Sequence, residues 1–164
     1  MPLGPIWLAT WLVAVSLTIA CSDDPAERAV SVDVGVTGGA DGLDFVALEP
    51  GGEISLHTFG QGGTHALLAV RCIGLGNRAF VSVVITNLAT GREASAPAGA
   101  SPRLLLCEDE QTCDLLPLLI MTGGLVADSD GSSIPVRLRA EAHNADGIRA
   151  SVEREAVLST SVSR

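Results

Sequence analysis

The chain has no tyrosine and no lysine, and its two tryptophans, Trp7 and Trp11, both lie near the start. Beyond them the only large aromatic side chains are Phe45, Phe59 and Phe80. Bases and sugar rings are commonly held by stacking on Trp and Tyr. Their absence argues against a carbohydrate-binding module and removes the usual platforms for nucleic acid. With so few rings, any core must be built from Val, Leu, Ile and Ala. With no lysine, every fixed side-chain cation is an arginine, and 10 of them face 19 acidic residues, for a net charge of -9. All the acidic residues follow Cys21. A field of that sign repels phosphate backbones, so nucleic acid is excluded as a partner.

Histidine is scarce. His57, His65 and His143 are the only three, and none makes a His-x-His or His-x3-His pair. No Gly-x-Ser-x-Gly string marks a nucleophile elbow. A nucleophilic serine or cysteine needs a neighbouring base and an orienting acid, and no spacing in the chain supplies them. No cofactor and no catalytic residue is expected from the sequence.

What the chain does have is an uncharged, apolar opening. Ile6 to Ala20 carries no charged side chain and ends in small residues. That is the layout of a secretory h-region and its cleavage site. A basic n-region is missing, and only the α-amino group supplies positive charge. The run ends Leu17-Thr18-Ile19-Ala20-Cys21, followed by the acidic Ser22-Asp23-Asp24. This junction resembles the lipobox of bacterial lipoproteins, with Thr18 standing where leucine is usual. The resemblance implies cleavage before Cys21, lipid (palmitate among the acyl chains) on its sulfur, and residence at the bacterial cell envelope, at the outer membrane or cell surface. Each buried methylene contributes about 0.8 kcal/mol, so several acyl chains give lasting attachment. Two other readings use the same residues. Thr18 and Ala20 suit an ordinary signal peptidase, and about 20 uncharged residues could span a bilayer uncleaved.

Setting the leader aside, the rest suffices for one domain with a real core. Three cysteines remain there, Cys72, Cys107 and Cys113. Cys107 and Cys113 flank the polar Glu108-Asp109-Glu110-Gln111-Thr112, and an exporting cell's oxidising compartment allows a disulfide across it. Cys72 lies in an apolar strand as a small buried residue. Pairing of Cys72 with either of the others stays open.

Residues 22–40 are polar or weakly patterned, and the expectation is a flexible tether over 21–40, carrying at most one strand at Ala29 to Val36. Short β segments follow at Leu43 to Leu48, Glu53 to Phe59, Thr64 to Ile73 and Phe80 to Thr86. Ala94 to Pro102 reads as loop. Arg103 to Cys107 and Leu115 to Met121 are apolar runs around the cysteine loop, with Pro117 marking an edge, a bulge or a short helix. Ile134 to Ala142 alternates, Asn144-Ala145-Asp146-Gly147 is hairpin chemistry, and Ile148 to Leu158 returns. About eight or nine strands at regular spacing, with almost no helical periodicity, predict an all-β antiparallel sandwich over 41–164, preceded by a signal helix over 1–20. The closing hairpin resembles that of immunoglobulin-like modules in exported proteins, without the Cys…Trp…Cys hallmark.

Three strings could carry chemistry. Gly60-Gln61-Gly62-Gly63-Thr64-His65 combines glycines that admit close approach with an imidazole, so Gln61 and His65 are candidate binding residues; otherwise the string is a turn. Asp128-Ser129-Asp130-Gly131 resembles half a calcium loop, with Asp128 and Asp130 as candidate ligands and no closing glutamate. Cys113 and Met121 occur in blue-copper order, but the histidine that should lie between them is absent. The expected function is therefore a lipid-anchored, non-catalytic module, structural or binding a protein partner. The alternatives are a calcium-dependent binding protein and an envelope hydrolase.

Overall fold

A computed structural model describes residues 29–58, 63–97, 99–126 and 133–159. The described part is almost wholly β: β1 (Ser31–Gly38), β2 (Asp44–Ala47), β3 (Gly52–Thr58), β4 (Thr64–Ile73), β5 (Arg78–Asn87), β6 (Glu93–Ala96), β7 (Arg103–Leu104), β8 (Leu106–Cys107), β9 (Thr112–Met121), β10 (Ser133–His143) and β11 (Arg149–Ser159), with one short helix, α1 (Gly123–Val126). The leader and Cys21 lie outside the described residues.

The strands follow the period-two pattern that the sequence announces. In β10 every second side chain from Ile134 to Ala142 is buried and the intervening ones are exposed. Its hairpin with β11 closes on Asn144, whose side-chain Oδ1 accepts from the backbone N–H of Asp146 (3.1 Å) and Ile148 (3.0 Å). Gly147 takes the positive φ of 81° that this turn requires.

Strand order runs β2-β1-β4-β3-β11-β10-β5-β6. β4 is the branch point. One edge pairs with β3 near its start and with β1 along its second half, while the other edge pairs with β9. β3 joins the two limbs: it is antiparallel to β4 and parallel to β11. Elements that share no hydrogen bonds also lie against each other, β1 on β10 and β11, and β6 on β9. Between them sits one aliphatic core that includes Ile54, Leu68, Ile85, Ile120, Leu138 and Leu158.

One expectation is met and one needs correction. The strand expected at Ala29 to Val36 is β1, over 31–38, with Val32 and Val34 buried in the core. The loop expected over Ala94 to Pro102 instead begins as β6, which pairs with β5 through Val83 opposite Ala96. Small side chains carry little β signal, and the neighbouring strand imposes the conformation. Pro117 sits at a bulge. Between the pairs Leu68–Leu118 and Val70–Leu115, β4 spends one residue and β9 spends two, Leu116 and Pro117.

Candidate functional site

Three side-chain groups stand out, and all involve β4. The first is a charge cluster. Arg71 and Asp114 are directly opposite on β4 and β9. Arg71 donates from Nε to Asp114 Oδ1 at 2.8 Å and from Nη2 to Asp114 Oδ2 at 2.7 Å. The same Nη2 reaches Glu108 Oε1 at 2.7 Å, and the guanidinium lies 4.6 Å over the Phe45 ring. The Asp114 hydrogen bond, against the opposing cost of burial, holds the guanidinium even more firmly protonated than usual. Asp114 is a buried carboxylate whose partner is built in. This is a staple joining β2, β4, β9 and the cysteine loop.

The second group is a row of cysteines. Cys72 on β4 is opposite Cys113 on β9, which is opposite Cys107 on β8. Cys107 and Cys113 are disulfide-bonded, with a Cα–Cα separation of 3.9 Å. The expected pairing is therefore present, and Cys72 is a free, buried thiol. Burial, followed by the nearby Asp114 charge, pushes its pKa up to about 12. A thiol so held is protonated at neutral pH and is a poor nucleophile. The loop between the bridged residues is ordered by Asp109, whose carboxylate accepts from the N–H of Gln111 (2.7 Å) and Thr112 (2.6 Å). Those bonds, Thr112 first, lower its pKa below the ordinary carboxylate value.

The third group is a row across β3, β4 and β9. His57 is directly opposite His65, and His65 is directly opposite Met121. Their inward neighbours Leu56, Ala66 and Ile120 are buried in the core, so the row occupies the outer face. His65 is nearly covered, at 8% exposure, while Met121 is 69% exposed. Beside the row, a shallow depression of about 290 Å³ is lined by Val36, Thr37, Glu53, Ser55, His57 and Leu67.

Of the sequence candidates, His65 therefore falls in a cluster of donor side chains. Gln61, Asp128 and Asp130 lie outside the described residues. Sequence reasoning missed His57 and Met121 as companions of His65, because only strand register brings them together.

The remaining histidine, His143, stacks on Phe80 with ring centroids 4.8 Å apart. It shares a depression of about 430 Å³ with Glu141 and Ser151. That trio has the residue types of a hydrolytic triad but not its coupling. Ser151 is exposed, Glu141 is paired with Arg139 at 3.1 Å, and no hydrogen bond among the described residues links His143 to either. A triad needs the base within hydrogen-bond reach of both partners.

Among the described residues no three or more His, Cys, Asp or Glu side chains converge as a metal cluster, and no helix is long and apolar enough to cross a membrane. No known family model matches the chain, and no curated protein matches it in sequence.

Proposed function

We propose that the chain is an exported protein held at a bacterial envelope by lipid on Cys21, and that its β-rich part is an immunoglobulin-like sandwich serving as a non-catalytic structural or protein-binding module. The observation that carries the exported setting is the Cys107–Cys113 disulfide in the β8–β9 turn. Such bonds persist in oxidising compartments and are rare where cytosolic thiol buffers operate. It agrees with the secretory layout of Ile6 to Ala20 and the lipobox-like end at Cys21.

The sandwich reading is supported by strand pairing. β9-β4-β3 forms one limb and β11-β10-β5-β6 the other. β3 belongs to both, antiparallel to one and parallel to the other. A strand that pairs into both limbs can carry the chain from one layer of a sandwich to the other. A module role is favoured because the charged groups at the centre of the structure brace strands rather than line a cleft. Exposed Leu104 and Leu106 flank buried Leu105 near the disulfide and offer a protein partner apolar contact.

The test is the state of Cys21. Expressed with its leader in a bacterium, the protein should yield a mature N-terminus at acylated Cys21 by mass spectrometry. It should also enter the detergent phase on partition, and Cys21→Ser should move it to the aqueous phase. An intact Met1, or an unmodified Cys21 on the wild-type chain, refutes the anchor.

A further inference from the structure

We propose that Cys113 has two disulfide partners within this fold, and that exchange from Cys107 to Cys72 trades a thiol buried in the core for one on the surface. The placement comes from register. Cys107 on β8 is opposite Cys113 on β9, and Cys113 is opposite Cys72 on β4. The three strands are neighbours in that order, so Cys113 stands in the middle of the row. Directly opposite residues of an antiparallel pair have Cα atoms about 4.5–5.5 Å apart and point to the same face. That separation lies inside the range of about 4.4–6.8 Å over which a disulfide closes. Cys72 and Cys113 are both core residues, 0% and 1% exposed, so their side chains share the inner face.

The row suits the reaction as well as the product. Exchange is attack by a thiolate on a disulfide sulfur, with the third sulfur as leaving group. Cys72 and Cys107 approach Cys113 from strands on either side of it. Attacker and leaving group therefore flank the central residue. The Cys72 thiol gives up its proton, its Sγ bonds to that of Cys113, and the Cys113–Cys107 bond breaks. The electron pair leaves on Cys107 Sγ, which takes up a proton. One disulfide replaces another, so neither oxidant nor reductant is consumed.

Burial sets the pace. Only the thiolate attacks, and Cys72 is held protonated at neutral pH, so the Cys107–Cys113 isomer persists there. The product differs from it in two ways. Cys107 is exposed, and its released thiol sits in the same stretch as the exposed Leu104 and Leu106. The loop carrying Glu108, Asp109 and Glu110 loses its covalent closure, while β4 and β9 become cross-linked.

The test uses the full chain carrying Cys21→Ser, so that only the cysteines of the row remain. The folded protein is held without oxygen at about pH 9 with iodoacetamide for hours, the usual span of uncatalysed rearrangement. Cleavage after arginine then separates residues 72–78 from residues 104–137, and Cys107 and Cys113 share the second peptide. The expected product joins the two peptides through Cys113, with the alkyl group on Cys107. Cys72→Ala should cut alkylation of Cys107 at least tenfold. Cys107→Ser changes an exposed position, should keep the circular dichroism spectrum, and should close a Cys72–Cys113 bridge when oxidised glutathione is added. Cys107 left unalkylated, equal alkylation in Cys72→Ala, or a folded Cys107→Ser protein with both thiols still free overturns the exchange. Comparable amounts of a Cys72–Cys107 linkage overturn it too, because they report scrambling through the unfolded chain.

Discussion

Replacing Arg71 with alanine should cost more stability than any other single change to a charged residue in the described structure. Asp114 has a side chain only 5% exposed, and Arg71 satisfies both its oxygens. Removing one member of a buried pair strands the other charge and typically costs about 3–5 kcal/mol. Arg71 is itself 26% exposed, so water entering the vacated space solvates Asp114 in part. That discount brings the expected loss to about 2–3 kcal/mol. For a domain of this size the melting temperature should fall by roughly 8–10 °C.

Two companion variants separate the cause from generic damage. Arg71→Met with Asp114→Leu removes both charges and keeps the volume, so it should recover at least half of the loss. Glu108→Gln touches the exposed arm of the cluster and should stay within about 0.5 kcal/mol of the wild type. The assay is thermal and urea unfolding followed by far-ultraviolet circular dichroism. The reasoning fails if Arg71→Ala shifts the midpoint by less than about 2 °C. It fails equally if the double variant is no more stable than the single one.

Two further outcomes follow from the cysteine row. Changing Cys107 and Cys113 together to serine opens a short loop, and chain-entropy arithmetic puts the loss at about 2 kcal/mol; a urea midpoint equal to that of the wild type would contradict it. Cys72 should resist alkylation in the folded protein at pH 8 and react at once in denaturant. Its pKa is raised in the fold to about 12 from a value of 9.0, so its contribution to stability is complete below pH 9 and is lost as pH rises from 9 toward 12. The slope is about 1.4 kcal/mol per pH unit, and Cys72→Ala should unfold without that component.

How far the sequence could be read depended on the distance over which the deciding interaction acts. The β10–β11 hairpin was legible because alternation and Asn144-Ala145-Asp146-Gly147 are local signals. The Cys107–Cys113 bridge was legible for the same reason, since a polar turn holds its two ends together. β6 was not, because small residues become a strand there only by pairing with β5. Arg71 and Asp114 gave no sign of each other, being 43 positions apart. Nor did the histidines: spacings that suit a helix or a single strand do not cover residues that face each other across two.

The bulge in β9 ties these observations together. Before it, Cys72 pairs with Cys113 and Arg71 with Asp114; after it, His65 pairs with Met121. Were the same residues of β9 to run on in the first register with no bulge, His65 would face Ile120. Alternation would then carry Ile120 outward and turn Met121 toward the core. The Arg71–Asp114 ion pair fixes one end of the β4–β9 ladder, while buried Leu118 and Ile120 fix the other in a register offset by one. A proline with no N–H to donate is suited to the place where the two registers meet. The same irregularity that lets β9 bury its leucine and isoleucine therefore sets a thioether beside an imidazole on the opposite face.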